Sequence, residues 1–247
     1  MVSTITQILH ITRSGMLARL QDLDLVSHNL ANANTFGFKS SRTNFQELLN
    51  SRRYGGVQLQ ATQRFMQQGS LQMTEKPLDL AIEGEGFFAV SLPDGRTAYT
   101  RDGQFHVDSD GQIVNASGNR LVWDGGQIPV DTVGVQVNLD GSVMILQAAA
   151  TWDQLGTIEL SRFPNPNGLD GYGQSLWLET DVSGTAETGM PGSEGLGQVV
   201  GGALEQSNVS IANEMTQIIS LQRSFQMSTR AFQQTDQMLS QAINLRR

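Results

Sequence analysis

Apolar residues recur every three or four positions at both ends of the chain. Near the C-terminus the series is Ile211, Met215, Ile218, Phe225, Phe232, Leu239 and Ile243. Near the N-terminus it is Ile5, Leu9, Met16, Leu23, Val26 and Leu30. A repeat of about 3.5 residues keeps one stripe of a helix facing a partner helix over several turns. The pattern therefore predicts a long helix at each end, with a coiled-coil-like pairing surface.

Polar residues interrupt both stripes, at Thr12 and Arg19 near the start and at Gln222, Thr229 and Asp236 near the end. An apolar stripe of this spacing is most often the core-facing side of a helix in one domain. Interrupting polar positions weaken an isolated two-stranded coil but can fix the register among several neighbours. This favours packing among several copies of the chain over a hairpin within one copy.

The middle of the chain changes to a period of two. Leu78, Leu80 and Ile82 alternate with polar or small residues, which predicts a strand with one buried face. Asp-Gly pairs follow at 94–95, 102–103, 110–111, 124–125, 140–141 and 170–171. Such pairs are typical of type I′ hairpin turns, which need positive φ. Short strands at this spacing predict an all-β sandwich or irregular barrel.

The predicted fold class is α+β, with terminal helices paired in a coiled-coil-like layer around a central all-β domain. The expected division is an N-terminal helix over residues 1–35, an extended or partly disordered linker or β-arm over 36–75, the β domain over 76–202 and a C-terminal helix over 203–247. Within the second segment, 46–69 is expected to hold a short helix followed by a loop or β-arm with a turn at Tyr54-Gly55-Gly56. Residues 181–202 are expected to form a loop.

Charge divides the chain in the same way. Residues 75–194 contain 18 acids and five bases, a net charge of −13, whereas the two ends together carry +5. This predicts a soluble, self-repelling middle and milder, pairing ends. Nucleic-acid binding is disfavoured because the bases are scattered and the whole chain carries −8. No apolar run approaches the ~20 residues of a membrane-spanning helix, and no cleavable signal peptide is apparent.

Candidate catalytic and metal-binding residues are few. The three histidines are His10, His28 and His106, and the first two lie about 27 Å apart on one predicted helix, too far to share a metal. Asp108-Ser109-Asp110-Gly111 is similar to part of a calcium loop, but its twelfth position falls on Asn119 instead of Glu. The segment is better explained as a hairpin turn. The sequence therefore predicts no enzyme activity, no cofactor and no metal.

Several motifs together resemble the flagellar rod, hook and hook-associated proteins. The first spans Asn29-Leu30-Ala31-Asn32, continues through Thr35 and ends at Gly37-Phe38-Lys39. The others are Gly69-Ser70-Leu71, Thr74, Pro77-Leu78-Asp79-Leu80-Ala81-Ile82, Gly84-Glu85-Gly86-Phe87-Phe88, Tyr99-Thr100-Arg101-Asp102-Gly103, Glu205-Gln206-Ser207-Asn208-Val209 and Thr235-Asp236-Gln237-Met238-Leu239. The length and C-terminal helix are most like a distal rod subunit, with the proximal rod type a close alternative. The stretch 46–68 is shorter than in typical distal rod subunits, and a hook subunit would need a further outer domain.

The resemblance implies a structural subunit of the bacterial flagellar basal body, exported through the flagellar type III apparatus. Its terminal helices would pack into a tube that encloses the export channel and transmits torque, with the β domain outside. The implied partners are copies of itself, other rod and hook subunits and the export apparatus, with bushing rings or peptidoglycan as further candidates.

A second class of function stays open at this point. A secreted β-domain binding module, such as an adhesin, would use Trp123, Trp152 or Trp177 on an exposed face. Tryptophan is more often a core residue in such domains. Terminal truncation separates the two classes, because a binding module keeps its activity without its helices.

Overall fold

The protein is an α+β chain with one long helix at each end and β structure between them. A computed structural model describes residues 2–47, 57–147, 151–193 and 195–244, with side-chain burial described in these ranges except for 2–10, 45–47, 57–61, 239 and 242–244. The chain forms two compact units. One comprises residues 1–33, 40–65 and 209–247, here called the helical unit, and the other comprises 34–39 and 66–208, here called the β unit. The α+β class is confirmed.

The helical unit contains α1 (Val2–Ala31) and α2 (Ile211–Asn244), which pack against each other. Ala18, Val26 and Leu221 are the buried apolar side chains of this unit among the residues described. The first turn of α2 closes with a bond from the Glu214 N–H to the Ser210 carbonyl at 3.0 Å. Outside this buried line, both helices keep large apolar side chains in solvent.

A two-stranded antiparallel hairpin completes the helical unit. Strands β1 (Ser41–Glu47) and β2 (Val57–Arg64) pair from Ser41 with Arg64 to Glu47 with Val57, and a bulge falls between Asn44 and Phe45. The expected β-arm is therefore observed at 57–64. The expected turn at Tyr54-Gly55-Gly56 lies outside the described residues. An isolated two-stranded hairpin is marginally stable, and this one has contacts with α1.

The β unit consists of open sheets. Its strands are β3 Leu71–Met73, β4 Leu80–Glu83, β5 Phe87–Ser91, β6 Thr97–Thr100, β7 Phe105–Val107, β8 Ile113–Asn115, β9 Arg120–Leu121, β10 Thr132–Val137, β11 Ser142–Gln147, β12 Trp152–Thr157, β13 Leu160–Arg162, β14 Asp170–Gly173, β15 Leu176–Leu178, β16 Glu187–Gly189, β17 Gln198–Gly201 and β18 Ala203–Glu205. A nine-stranded sheet has the path β14-β15-β6-β5-β9-β8-β7, with β13 joined to β5 and β16. Smaller sheets pair β10-β11-β12, β17-β4 and β18-β3. A 3-10 turn spans Pro166–Gly168.

Two structural expectations need correction. Strand β4 was predicted to bury one face, but Leu80, Ala81 and Ile82 are all buried, because the strand lies inside the unit and pairs with β17. The loop expected over 181–202 contains β16 and β17. Its high glycine and serine content hid these short strands, which are held by pairing with β13 and β4.

The hairpin turns have a different geometry from the predicted one. Three of the six Asp-Gly pairs close turns in which only the glycine has positive φ: Gly95, Gly111 and Gly141. A fourth turn of this kind ends at Gly118. In each, the glycine N–H bonds back to the residue three positions earlier, as in Gly95 to Leu92 at 3.0 Å. This is a type I turn followed by a left-handed glycine, so the type I′ prediction was wrong.

The core of the β unit has two parts. The larger cluster includes Leu80, Ile82, Phe88, Val90 and Leu160. The smaller cluster is aromatic and contains Phe87, Tyr99, Phe163 and Trp177. Phe87 and Tyr99 each meet the Phe163 ring edge-on, at centroid distances of 5.9 and 4.7 Å. Strand β5 supplies both clusters, because Phe88 and Val90 belong to the larger cluster and Phe87 to the smaller one. Arg101, directly after β6, lies beside the Phe87 ring.

Candidate assembly site

The side chain of Glu205, at the end of β18, is fully buried and connects several distant segments. One carboxylate oxygen accepts from the Lys39 ammonium and from the Gly69 N–H, the latter at 2.9 Å. The other accepts from the Arg101 guanidinium at 3.2 Å. The Glu205 backbone carbonyl accepts from the Gly37 N–H at 2.8 Å. We call these residues, together with the Gln67 carbonyl that Lys39 also contacts, the Glu205 cluster.

Both cations of the cluster are almost completely removed from solvent, with 1% of the Lys39 side chain and 6% of the Arg101 side chain exposed. Burial lowers the pKa of Lys39 and of Arg101, and the Glu205 carboxylate opposes this change in both. The Arg101 guanidinium also donates to the Gly84 carbonyl at 2.8 Å and lies 5.2 Å from the Phe87 ring centroid. Removing one member of a buried group of this kind strongly destabilises the fold, because it leaves a buried charge without a partner.

Gly37 allows the N-terminal segment to approach the cluster. Its φ is +65°, and a Cβ at this position would overlap the backbone of Arg101 and Asp102. Only glycine satisfies both conditions without strain. The residue therefore places Lys39, two positions later, within reach of Glu205.

Asp102, next to Arg101, is a second perturbed group in the β unit. Burial raises the pKa of its carboxyl, and the nearby Asp79 carboxyl adds to this increase, while a bond from the Gln104 N–H opposes it. That bond to the Asp102 carboxylate measures 3.1 Å. The charged form of Asp102 is therefore tolerated at a cost in stability.

In the helical unit, polar side chains tie α1 to the start of β1. Asn29 is buried, its amide donates to the Ser41 carbonyl at 2.8 Å, and its side-chain oxygen accepts from the Ser41 N–H at 3.0 Å. Thr43 donates to the Asp22 carboxylate at 2.6 Å. Desolvation raises the pKa of Glu214 on α2, against a hydrogen bond from Asn29 and the charge of Arg42. These contacts fix where the hairpin leaves the first helix.

The predicted assembly residues fall into three groups. Ile211, Met215 and Phe232 are exposed, with 44%, 53% and 41% of their surface accessible. Met16, Leu23, Leu30, Ile218 and Phe225 are half-buried. Ile5, Leu9, Leu239 and Ile243 lie on the helices, with side chains outside the described set. Their role in contacts between copies stays a prediction.

The motif residues of the N-terminal signature make contacts in two places, at the start of β1 and in the Glu205 cluster. Asn29, at the end of α1, binds the first strand, while Gly37 and Lys39 enter the Glu205 cluster. Leu30, Asn32, Thr35 and Phe38 are half-buried and Ala31 is exposed. The signature is thus a connection between structural elements.

Sequence reasoning missed the cluster itself. Several motifs quoted for the resemblance supply groups to it, through Gly37 and Lys39, Gly69, Arg101 and Glu205, and the Gly84 carbonyl accepts from Arg101. Glycines and isolated opposite charges within those motifs were the available signal. Nothing in local sequence pairs them, because 104 to 166 positions separate Glu205 from its charged partners.

The remaining sequence candidates lie apart from this cluster. Trp177 is buried, Trp123 is half-buried and Trp152 is 47% exposed. His106 is exposed on β7. Asp108 to Gln112 form a hairpin turn, as predicted, with the Asp108 carboxylate accepting from the Asp110 and Gln112 N–H groups. Within the described ranges, no group of three or more acidic or histidine side chains could hold a metal ion.

Comparison with protein families gives three matches along the chain. Residues 9–39 match the flagella basal body rod protein family, 81–145 match the flagellar hook protein FlgE/F/G D1 domain, and 200–245 match the flagellar basal body rod FlgEFG protein C-terminal region. These ranges include Lys39, Arg101 and Glu205. None of the described helices is long and apolar enough to cross a membrane.

Relatives match over nearly the whole length. The flagellar basal-body rod protein FlgG of Borreliella burgdorferi is 39% identical, covering 95% of this chain and 96% of the relative. FlgG of Caulobacter vibrioides is 36% identical over 97% and 99%, and FlgG of Bacillus subtilis is 35% identical over 95% and 97%. The Borreliella alignment spans 256 positions, more than the 247 residues of this chain, so the relative has residues that this chain lacks.

The chain belongs to the family of flagellar basal-body rod proteins. Within that family these three relatives carry the name FlgG, which confirms the predicted distal rod subtype. The predicted function as a structural subunit of the rod, and its location in the flagellar basal body, are confirmed with it.

Proposed function

We propose that copies of this chain polymerise through α1 and α2 into a tubular axle, with the terminal helices in a coiled-coil-like layer around the export channel. The observation that carries the proposal is the exposure of large apolar side chains on helices that already pack together. Ile11, Leu17 and Leu20 on α1 are 43%, 51% and 42% exposed. On α2, Ile211, Met215, Ile219, Met227, Phe232 and Met238 are exposed as well.

Covering these side chains supplies the free energy for assembly. Burial of one such side chain contributes roughly 1.5–3 kcal/mol. Each copy exposes several of them, so the burial free energy per copy is several times that of a single side chain. Contacts between different surfaces on successive copies generate an open, helical polymer. Torque then passes along the axle through stiffness and not through chemistry.

The distribution of charge supports an outer position for the acidic segments. Residues 75–194 carry −13, and mutual repulsion opposes close packing among them. The sandwich arrangement of the sheets and the domain boundaries at 1–35, 36–75, 76–202 and 203–247 belong to this proposal. So does a bridging role between copies for the segment 34–69, which contains the β1–β2 hairpin.

The partners in this proposal are copies of the chain, other rod and hook subunits and the export apparatus. Bushing rings or peptidoglycan would meet the outer surface. Export would proceed without a cleavable signal peptide. The family relationship and the exposed apolar side chains of the two helices support these partners.

Phe232→Asp tests the proposal, because it places a charge on an exposed seam position and leaves the buried line of Ala18, Val26 and Leu221 intact. We expect a folded subunit that no longer forms rods, measured by circular dichroism and by electron microscopy of purified basal bodies. Gln234→Asp is the matched control, since Gln234 is exposed on the same helix but lies outside the predicted seam and is not one of the exposed apolar side chains. Normal rods and motility with Phe232→Asp would reject the seam.

A further inference from the structure

The chain passes between its two units four times, after residues 33, 39, 65 and 208. Two of the last three crossings lie close to Lys39 and Gln67 of the Glu205 cluster, and the third lies next to Asn208, which is bonded to Gln67. Lys39 immediately precedes one crossing, Gln67 follows another by two residues, and Asn208 immediately precedes the last. All three residues belong to the β unit, which therefore holds the connecting segments at its own end of each crossing.

These three segments are bonded to one another in every pairwise combination. The Gln67 carbonyl accepts both from the Lys39 ammonium and from the Asn208 side-chain amide, each at 2.9 Å. The Asn208 N–H donates to the Phe38 carbonyl at 3.4 Å. Glu205 binds Lys39 in the first segment and the Gly69 N–H in the second. The result is a closed set of contacts among three chain segments far apart in sequence.

We propose that Lys39, Gln67, Glu205 and Asn208 form a hydrogen-bonded junction. This junction holds the connecting segments on the β unit and stiffens the passage of the chain into the helical unit. The mechanical part rests on the proposed function as a torque-bearing rod subunit. A single flexible linker would absorb rotation by changes in its backbone dihedral angles. Three segments held at one buried ionic group lose that freedom together, because each of them is a partner of the other two.

The burial of this junction explains why it contains the charged pair Glu205 and Lys39. Glu205 and Lys39 are 0% and 1% exposed, so water cannot substitute for either partner when a segment moves. Separation of the pair leaves a desolvated charge, which costs far more than breaking a surface ion pair. The contact therefore resists small displacements in a way that neutral surface hydrogen bonds would not.

Hydrogen–deuterium exchange on the full-length chain tests the fastening. In Glu205→Gln we expect exchange in 34–41 and 66–70 to accelerate at least about tenfold, because the Gly69 N–H and Lys39 lose a charged acceptor. Asn208→Ala should accelerate the same segments by a smaller factor. Strands β5 and β6 should keep their protection in both variants.

Gln206→Ala is the matched control. Gln206 is next to Glu205 and makes side-chain bonds with Ser70 and Gln72, but it does not contact Lys39 or Gln67. We expect unchanged exchange in 34–41 for this variant. Wild-type exchange there in both Glu205→Gln and Asn208→Ala would overturn the proposal, as would equal acceleration in Gln206→Ala. If Glu205→Gln unfolds the β unit, Asn208→Ala decides.

Electron microscopy of basal bodies tests the stiffening. Rods built from Asn208→Ala should show a wider distribution of bend angles than wild-type rods. Straight rods in a variant whose exchange is accelerated would overturn the mechanical role while leaving the fastening intact. Absence of the wild-type chain from rods would instead contradict the proposed function.

Discussion

Lys39 and Glu205 lie 166 positions apart in sequence and form a buried ion pair at the point where the β unit is closed. Lys39 ends the N-terminal signature, and Glu205 ends the final strand before α2. The β unit is thus completed by residues from near both ends of the chain. Removing either member has different consequences, because Glu205 also neutralises Arg101.

This asymmetry gives the first prediction. Glu205→Ala leaves two buried cations without a carboxylate, and we expect a loss of about 3–5 kcal/mol in the free energy of unfolding. Lys39→Met should cost less, since Glu205 keeps Arg101 and the Gly69 N–H as partners. Urea denaturation followed by tryptophan fluorescence measures both. A larger loss for Lys39→Met would show that the carboxylate is not the central group.

Gly37→Ala should destabilise the protein by at least about 1–3 kcal/mol, because it combines positive φ with overpacking against a backbone. Gly15→Ala is the control, as Gly15 lies in α1 with nothing within 4 Å of its Cβ position. That substitution should stabilise the helix by up to about 1 kcal/mol. Thermal unfolding of the two variants should therefore shift in opposite directions.

The raised pKa of Asp102 predicts a dependence of stability on pH. A carboxyl whose folded-state pKa is raised destabilises the fold while it is charged, and this cost disappears as the pH falls through that pKa. Asp102→Asn keeps an acceptor for the Gln104 N–H and should be more stable than the wild type at pH 7. The advantage should shrink as the pH approaches 4 in urea denaturation.

Asp140 provides the opposite case for the same measurement. A side-chain hydrogen bond from Ser142 and a backbone bond lower the pKa of Asp140, so its contribution is present at neutral pH and is lost as the pH falls through the folded-state value. Asp140→Asn should be less stable than the wild type at pH 7, with the difference shrinking in acid. The same sign of change at pH 7 for Asp102→Asn and Asp140→Asn would contradict the assignment.

Truncation gives a sharper prediction than removal of whole end segments. A chain that stops after Asn208 retains Glu205 and every residue of the β unit, and we expect it to keep the near-ultraviolet circular dichroism of the buried Trp177. A chain that stops after Leu204 lacks the carboxylate and should lose that signal. Equal folding of the two chains would show that Glu205 is dispensable for closing the unit.

Local patterns predicted the local structure well. The 3.5-residue repeat identified both helices, and the alternation that includes Leu80 and Ile82 identified a strand where β4 lies. The repeat could not identify which neighbouring positions are buried within one copy. Val26 belongs to the predicted N-terminal stripe and is buried, whereas Ala18 and Leu221 are buried although they lie outside the predicted stripes. The choice between adjacent helix faces depends on how the partner helix approaches, which a single helix does not encode.

The Asp-Gly pairs predicted the backbone conformation of the turns only in part, because contacts with other segments also decide where glycine is needed. Asp-Gly at 102–103 and at 170–171 has the composition of a turn, yet neither glycine has positive φ. At Gly103 a Cβ would overlap the Leu80 carbonyl, so glycine is needed there for close approach of two segments. The Gln174-Ser175 turn has positive φ at both residues without glycine at either. Tertiary packing selected the residue in each case, and it overrides local preference.

The four turns with a left-handed glycine share one hydrogen-bonding scheme but differ in what surrounds them. Gly95 and Gly118 have nothing within 4 Å of a Cβ position, whereas Gly111 and Gly141 are wedged against the carbonyls of Ile128 and Ile158. The loop at Gly95 therefore has open space for a grafted epitope or fluorophore, whereas beside Gly118 the Ser117 hydroxyl donates to the Gln174 side chain at 2.8 Å. Lengthening the loop at Gly111 or Gly141 would displace the backbone segment that it contacts. Visualisation of this subunit inside a working motor should begin at residues 94–95.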